Sequence, residues 1–294
     1  MKNNVLISVV MPNYNGHRFV EQAIDSVLIQ TYQNFELIVV DDCSKDDSLQ
    51  FIKRKAKSDG RIRVIALEKN AGVANARNVG IREAKGKYIA LLDNDDLWTA
   101  DKLERQLAIA ENGVDIVYCS YDFIDEQNNE IKKPFIVPKQ TNFNKMLASS
   151  VISCSTSFIK TELMQAHPFN PEFYHEDYVL WMELLRVCPT AYGDEKVLMH
   201  YRQLLVEIKQ EEQYGKGTVE YIPQGVEVEY CHKFVGVCEI RGKRRDEILF
   251  VSCQENIMDV LLLCGYFEPK YQKEIIKENK NMGRRMLQIR FSRD

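Results

Sequence analysis

The amino-acid sequence predicts an α/β protein with a mostly parallel central sheet, flanked by helices and followed by a C-terminal β/α appendage. In the first 120 residues, an apolar β-branched run alternates with an amphipathic segment four times. This alternation is typical of a doubly wound sheet with right-handed crossovers. Several of the apolar runs also stop abruptly in polar or acidic residues. Beyond Tyr121 the alternation breaks, so we expect a different arrangement there.

The individual elements follow from the spacing of the apolar residues. Short runs rich in Val and Ile, closed by Pro, Gly or acids, are typical of buried strands. Longer segments with apolar residues three and four positions apart are typical of helices. The predicted strands are Val5–Met11, Phe35–Val40, Arg61–Ala66, Tyr88–Leu92 and Ile116–Tyr121, and the predicted helices are Phe19–Gln30, Asp47–Lys57, a small-residue helix opened by Asn70–Gly80, and Lys102–Glu111.

The stretch Leu91–Trp98 is distinctive because an apolar strand stops in three carboxylates, those of Asp93, Asp95 and Asp96. Open α/β sheets bind their ligands at the carboxyl ends of the strands. Carboxylates this close repel one another, and a divalent cation shared with a phosphate would stabilise them. The alternative is a solvated acidic turn in which Asp96 caps the next helix. These residues alone leave the two interpretations on equal terms.

Composition narrows the function classes. The chain has 294 residues, 45% of them hydrophobic, which suffices for one large domain or a domain with an appendage. A net charge of -4 argues against a nucleic-acid partner. The sequence shows neither a signal peptide nor an apolar stretch of membrane-spanning length, so we expect a cytosolic protein. Its eight cysteines form no CxxC pair, which favours reduced thiols.

Phosphate recognition cannot use the usual glycine-rich turn, because no GxGxxG motif follows the first strand. We expect the acidic residues to bind the phosphate through a metal ion, and Arg77 to bind it as well. Arg77 lies among small residues that allow a helix to approach the sheet closely. A surface charge and a fixed cation aimed at a phosphate or a base explain this arginine equally well.

The sequence after residue 121 predicts the part of the protein that binds the acceptor. Segment 122–140 is polar and contains two prolines, which indicates an excursion over the surface. Ser149–Phe158 is small and rich in hydroxyls, and we interpret it as a strand or strand edge. Such side chains suit sugar recognition, although a tight packing contact would explain them nearly as well.

Two further polar groups come later. His175–Tyr178 precedes a predicted helix, Val179–Val187, and its acids either interact with the helix dipole or provide a general base. His200 follows the strand-like run Lys196–Met199. A lone histidine is most often structural, but a neutral imidazole is also a plausible ligand for Mn²⁺.

The C-terminal third, from residue 203, predicts β structure followed by helix. Thr218–Ile222 and Val226–Cys231 have strand composition, and Glu247–Cys264 has helical spacing. The tail from Gly283 is basic and amphipathic. It predicts a solvated terminal helix or, alternatively, a peripheral contact with an anionic membrane.

Five motifs, taken together and in order, resemble glycosyltransferase family 2. They are Val9–Asn15 (VVMPNYN), Ser26–Tyr32 (SVLIQTY), Val39–Ser44 (VVDDCS), Ala76–Gly80 (ARNVG) and Leu91–Trp98 (LLDNDDLW). The resemblance covers residues 5 to 202 and implies the GT-A fold, a Rossmann-like sheet with flanking helices. It also implies an inverting enzyme that uses a nucleotide-diphospho-sugar.

The resemblance also implies roles for individual residues. Asp93 and Asp95 would form the DxD pair, with Asp95 the direct ligand of Mn²⁺ or Mg²⁺. Asp177 would be the catalytic base, and His200 matches a position that in some relatives meets the metal. The residues implied to hold the nucleotide are Pro12, Tyr14, Asp42, Arg77 and Asp93.

The sequence departs from the family pattern at two places. Cys43 stands where these relatives commonly have Gly or Asn, a change that a tight loop tolerates. After Arg202 the usual Ser-rich segment and simple helical tail are replaced by β-like sequence. The family resemblance therefore does not extend into the last third of the chain.

These observations predict a catalytic domain over residues 1–202, with a nucleotide-sugar half (1–120) and an acceptor half (121–202), and an extension over 203–294. The expected reaction is metal-assisted transfer of a sugar from a UDP donor to a glycan or glycolipid acceptor in surface polysaccharide synthesis. Two alternatives stay open: a nucleotidyltransferase that makes nucleotide-sugars, disfavoured by the missing Gly-rich loop, and a catalytically degenerate sugar-nucleotide-binding protein.

Overall fold

A computed structural model of the chain describes residues 5–173 and 175–203, together with the strand backbones 239–241, 249–253, 271–281 and 284–293. The chain divides into two compact units. The first comprises Met1–Asn142 and Val151–Leu204, and the second comprises Phe143–Ser150 and Leu205–Asp294. The division of the chain at residue 202 that the sequence predicts remains a prediction.

The described part of the first unit is an α/β structure around one sheet of ten strands, which confirms the predicted fold class. Its main path runs β3-β2-β1-β4-β9-β6-β10-β5, with β7 beside β6 and β8 beside β10. The strands are β1 Ile7–Asn13, β2 Phe35–Asp41, β3 Ile62–Ala66, β4 Tyr88–Leu91, β5 Leu97–Trp98, β6 Ile116–Ile124, β7 Glu130–Phe135, β8 Gln140–Thr141, β9 Phe158–Lys160 and β10 Ala191–Arg202. The helices are α1 Val20–Leu28, α2 Ser48–Ser58, α3 Val73–Glu83, α4 Lys102–Ala110, α6 Thr161–Ala166 and α7 Glu176–Val187.

The parallel part of the sheet is its most buried part. Strands β3, β2, β1 and β4 all pair in parallel, and every residue of β1, β2 and β4 is buried. Each Val, Leu or Ile removed from water there contributes about 1.5–3 kcal/mol. Helix α3 approaches closely, since a Cβ on Gly80 would lie 2.4 Å from Val10 Cγ1. The small residues of this helix therefore do permit close packing against the sheet.

The strand alignment gathers the polar residues at one edge. Asn13, at the end of β1, is in register with Asp41 at the end of β2, and Val10 of β1 is in register with Leu91 of β4. Because these strands are parallel, the residues that follow them emerge at the same edge. The acidic stretch after β4 therefore lies beside the polar ends of β1 and β2.

The acceptor half differs in detail from the predictions. Segment 122–140 runs largely over the surface, as predicted, but it contains strand structure, because β6 continues to Ile124 and the mostly exposed β7 returns antiparallel to it. Ser149–Phe158 contains a short 3₁₀ helix, Cys154–Thr156, and only its last residue belongs to strand β9. Ser153 and Thr156 form a capping box there, so their hydroxyls bond to the backbone and favour a turn over an extended strand.

The described elements of the second unit are helix α5, Phe143–Ala148, and an antiparallel sheet. The order of its strands is β11-β12-β14-β13, and their bounds are β11 Glu239–Arg241, β12 Leu249–Cys253, β13 Tyr271–Asn281 and β14 Arg284–Arg293.

This sheet overturns both helix predictions for the C-terminal region. Leu249–Cys253 is a strand because its run of Leu, Phe and Val suits a pleated surface. In the basic tail, Leu287, Ile289 and Phe291 alternate with polar residues, which is a strand period. The predicted strands within 218–231 and the rest of the helix predicted to Cys264 lie outside the described residues.

Two further sequence expectations concern cysteines and membranes. Within the described residues, the cysteines at positions 43, 119, 154 and 188 are free thiols. None of the described helices has the length and apolar character needed to cross a membrane.

Candidate active site

A cleft of about 430 Å³ lies at the edge of the sheet where the parallel strands end. It is open to solvent, and its walls come from the ends of β1, β2 and β4, from the start of α3 and from the end of β10. The residues that the sequence assigned to the site and that line this cleft are Pro12, Tyr14, Asp42, Arg77, Asp93 and Asp95.

The rim after β1 is held by an asparagine that the sequence analysis did not single out. Asn13 is buried, donates to Asp41 Oδ1 at 2.7 Å, and accepts from Asn94 Nδ2 at 2.8 Å. Its neighbour Tyr14 leaves 48% of its surface exposed at the mouth of the cleft. A Cβ on Gly16 would lie 2.2 Å from Asn94 Nδ2, so glycine is needed for this close approach. Asn13 thus couples the two strand ends to the acidic stretch.

Asp42 organises the loop that enters α3. Its Oδ1 accepts the backbone N–H of Ala71 at 2.7 Å, and its Oδ2 accepts that of Gly72 at 2.8 Å. Gly72 has φ +87°, a conformation that residues with a side chain rarely adopt. The carboxylate therefore fixes one wall of the cleft, in addition to lining it.

Arg77 is a buried cation at the back of the cleft. Its Nη2 donates to Asp93 Oδ1 and its Nη1 to Glu176 Oε1, both at 2.6 Å. Its Nε has no hydrogen-bond partner among the described residues, and its guanidinium lies 5.3 Å from the Phe169 ring centre. Burial lowers its pKa, but the carboxylates of Asp93 and Glu176 outweigh burial and hold that pKa well above its ordinary value. Arg77 is therefore a fixed cation, and the surface-charge interpretation is wrong.

The acidic loop, residues 93–96, is anchored along its length. The backbone N–H of Asp93 donates to Ser155 Oγ at 3.0 Å, and Asp95 O accepts from Arg202 Nε at 2.8 Å. Asp96 Oδ1 accepts the backbone N–H of Arg202 at 3.0 Å. The side chains of Asp93 and Asp95 line the cleft on this fixed backbone.

Asp96 does not cap a helix, because α4 begins at Lys102 with Asp101 at its N-cap. It is buried, and burial together with the charges of Asp95 and Asp93 raises its pKa well above the ordinary value. Asp96 therefore helps to hold the acidic loop in place through its bond with the backbone of Arg202.

Helix α7 begins at Glu176, three residues earlier than predicted, so Glu176 and Asp177 lie in its first turn. Acids at this position interact well with the helix dipole. Burial raises the pKa of Asp177 above its ordinary value, and the positive charge of Arg77 opposes this shift. Asp177 is not among the residues that line the cleft, but its neighbour Glu176 binds the same guanidinium as Asp93.

The structure does not bring His200 to the cleft. Its Nδ1 lies 2.7 Å from Asp122 Oδ1, whereas its neighbour Tyr201 lines the cleft. Successive residues of a strand point to opposite faces, which explains why the histidine predicted as a metal ligand is directed elsewhere.

The carboxylates of Asp93 and Asp95, which line the cleft, fit a divalent cation that the protein and a substrate hold together. Within the described residues, no three His, Cys, Asp or Glu side chains converge as a complete metal site. Mg²⁺ and similar hard cations are commonly held by one or two carboxylates, with substrate phosphates and water completing the shell. Asp95 and Asp93, which share the cleft, offer this donor set.

The chain is similar in sequence to several known glycosyltransferases. Residues 8–166 match the model of the family described as glycosyl transferase family 2. The Escherichia coli UDP-Glc:alpha-D-GlcNAc-diphosphoundecaprenol beta-1,3-glucosyltransferase WfgD is 39% identical over 186 residues, which cover 63% of this chain and 71% of WfgD. The putative teichuronic acid biosynthesis glycosyltransferase TuaG of Bacillus subtilis is 34% identical over 198 residues, covering 67% of this chain and 79% of TuaG.

Solved structures show the same fold. S. aureus TarS 1-349 in complex with UDP has a TM-score of 0.57 and 23% identity, over 67% of this chain and 60% of TarS 1-349. The Pyrobaculum calidifontis mannosyltransferase PcManGT, in complex with GDP-Man and Mn²⁺, has a TM-score of 0.52 and 21% identity, over 66% of this chain and 56% of PcManGT. The chain thus spans less than two thirds of either solved protein. It is a glycosyltransferase of family 2 with the GT-A fold.

Proposed function

We propose that this protein is an inverting, metal-dependent enzyme that transfers a sugar from a UDP-sugar to a lipid-linked glycan acceptor during surface polysaccharide synthesis. The observation that carries the proposal is the shared position of Asp93, Asp95 and Arg77 in one cleft at the carboxyl edge of the sheet. Arg77 also binds Glu176, the neighbour of Asp177 on the acceptor-side helix.

The donor would lie across the ends of β1, β2 and β4. The half-exposed ring of Tyr14 offers a flat surface to a base, and Pro12 and Asp42 complete that part of the wall. Asp95, with Asp93, would hold Mn²⁺ or Mg²⁺ against the diphosphate. Such a cation supplies Lewis-acid neutralisation of the leaving group. Arg77 places a fixed positive charge at the same end of the cleft.

Inversion requires one in-line displacement. In the proposed step, Asp177 accepts the proton of the acceptor hydroxyl, the hydroxyl oxygen forms a bond to the anomeric carbon, and the bond from that carbon to the diphosphate oxygen breaks. The electron pair of the broken bond leaves with UDP. The raised pKa of Asp177 suits a base better than that of an exposed aspartate.

The relatives support the donor and acceptor classes. WfgD is named for a UDP-Glc donor and a diphosphoundecaprenol-linked acceptor, and TuaG is named for teichuronic acid biosynthesis. TarS has been solved with UDP and with UDP-GlcNAc. We extend these classes to the present chain, which would then work at the inner face of the membrane, where a lipid-linked acceptor is presented.

A panel of nucleotide-sugars tests this proposal. The purified protein is incubated with each donor, MnCl₂ and a polyprenyl-diphosphate-linked sugar, and the products are separated by mass and by anomeric configuration. We expect a UDP-sugar to give a lengthened glycolipid with inverted configuration, and EDTA to abolish it. Release of pyrophosphate would indicate a nucleotidyltransferase. Metal-dependent UDP binding without any transfer to any acceptor would indicate a degenerate binding protein.

A further inference from the structure

Arg202, the last residue of β10, lies beneath the acidic loop with 2% of its surface exposed. Its guanidinium donates to three different segments. Nε donates to Asp95 O at 2.8 Å, Nη1 to Asp125 O at 2.7 Å, and Nη2 to Gln22 Oε1 at 3.2 Å. The acidic loop, the turn after β6 and helix α1 are therefore held together by one side chain.

The three acceptors of the Arg202 guanidinium are all uncharged oxygens. Two of the three acceptors are backbone carbonyl oxygens and the third is an amide oxygen, so none of these three bonds goes to a carboxylate. The guanidinium also lies 4.4 Å from the ring centre of Phe19. A buried charge is costly unless its donors are satisfied. The planar guanidinium of arginine donates in several fixed directions and fits this arrangement of acceptors, whereas the ammonium group of lysine does not.

The backbone of Arg202 adds a second contact to the same loop. Its N–H donates to Asp96 Oδ1 at 3.0 Å, while its side chain holds Asp95 O one residue earlier. At the other end of the loop, the N–H of Asp93 is fixed by Ser155. Arg202 therefore holds the backbone at Asp95 and the side-chain carboxylate of Asp96, and these two contacts set the direction in which the Asp95 side chain leaves the loop.

We propose that Arg202 is a positioning residue for the metal site: by fixing the backbone carbonyl of Asp95 and the side chain of Asp96, it directs the Asp95 carboxylate into the cleft. This inference rests on the proposed metal-dependent binding of UDP. It adds a residue that contacts neither metal nor substrate and acts through the loop. Outer partners of metal ligands typically contribute about 10- to 100-fold to metal affinity or activity.

The test is a titration of Mn²⁺ into the full-length protein saturated with UDP, followed through the electron paramagnetic resonance signal of free Mn²⁺. For Arg202→Lys we expect Mn²⁺ affinity to fall about 10- to 100-fold. We expect the affinity for UDP in EDTA to stay unchanged. Arg105→Lys is the control for the loss of an arginine fork, because the half-exposed Arg105 donates twice to Asp194, at 2.8 and 3.0 Å, and Asp194 lies opposite Cys119 of β6, away from the acidic loop.

The outcomes separate the two proposals. If wild type binds Mn²⁺ with UDP and Arg202→Lys binds it within twofold of wild type, the positioning role is wrong. An equal loss of affinity in Arg105→Lys would also overturn it, because a general loss of stability would then explain both variants. If wild type shows no UDP-dependent Mn²⁺ binding, the proposed function fails and this inference fails with it.

A second variant covers the case in which Arg202→Lys does not fold. Gln22 is exposed, so Gln22→Ala removes one acceptor of the Arg202 guanidinium at low risk to the fold. We expect a several-fold weaker affinity for Mn²⁺ and an unchanged thermal midpoint in EDTA. An unchanged Mn²⁺ affinity in this variant would contradict the proposal.

Discussion

Arg77 Nη2 lies 2.6 Å from Asp93 Oδ1, and this ion pair joins helix α3 to the acidic loop behind the cleft. The same guanidinium binds Glu176 at 2.6 Å, at the start of helix α7. Donor-side and acceptor-side acids are therefore linked through one buried cation. This link explains how residues 99 positions apart in the sequence, Arg77 and Glu176, contribute to one site.

The buried ion pairs of Arg77 predict a large loss of stability on their removal. Arg77→Met would leave the carboxylates of Asp93 and Glu176 without their cation, and breaking a buried pair costs about 3–5 kcal/mol. Urea denaturation followed by circular dichroism measures the free energy of unfolding. Lys196→Met is the control, because its pair with Asp101 is half exposed and such pairs contribute less than about 1 kcal/mol. Equal losses in both variants would show that the Arg77 pairs carry no special stability.

Gly72 predicts a backbone effect that can be separated from packing. Gly72→Ala places a side chain at φ +87°, although no atom lies within 4 Å of the new Cβ. Strain of this kind costs about 1–3 kcal/mol. It should also loosen the contact with Asp42 and weaken UDP binding.

Gly60→Ala is the matched control for this effect. Its Cβ also meets nothing within 4 Å, but its φ lies outside the left-handed range. We expect it to be neutral or to stabilise the protein by up to about 1 kcal/mol. The same denaturation assay compares the two variants. A Gly72→Ala variant as stable as Gly60→Ala would contradict the strain argument.

Lys102 predicts a pH dependence of stability. It is fully buried, donates to Gln106 Oε1 at 2.6 Å and lies 4.1 Å from the Trp98 ring centre. Burial lowers its pKa to about 8 from 10.5. Because the unfolded chain then binds more protons between these values, Lys102 alone should raise the free energy of unfolding by about 2 kcal/mol from pH 8 to pH 10. The buried thiols of Cys119 and Cys154, whose pKa values burial raises, contribute in the opposite direction, so the effect is measured as the difference between wild type and a Lys102 variant.

Lys102→Met should remove this rise, and Lys85→Met, at a surface lysine, should retain it. Guanidinium denaturation at half-unit steps of pH measures the effect. An equal rise in wild type and Lys102→Met would assign it to another group.

The sequence was sufficient to predict the parallel half of the sheet, because its strands are continuous apolar runs that end in acids. It also located most of the cleft, since consecutive strand ends in a parallel sheet converge. Asn13 could have been identified in the same way, as it directly follows Pro12 at a strand end. Glu176 stood beside the predicted base but offered no signal of its pairing with Arg77.

The remaining differences arise from long-range contacts that no local pattern encodes. Ser155 reaches the acidic loop across 62 residues and Arg202 across 107. His200 lies outside the cleft lining because strand register decides which of two neighbouring side chains enters the cleft. The C-terminal tail was misread as a helix because four arginines among apolar residues also suit an amphipathic helix, and strand pairing decided the outcome.

The central claim is that Asp95 supports metal-dependent donor binding and Asp177 supports transfer. The most direct test measures, on the same preparations, UDP binding by calorimetry with and without Mn²⁺ and glycolipid formation from the active donor. We predict that Asp95→Asn loses the Mn²⁺-dependent gain in UDP affinity, whereas Asp177→Asn keeps that gain and loses turnover. Asp115→Asn, a partly exposed control, should retain both. Retained turnover in both Asp95→Asn and Asp177→Asn would contradict the account.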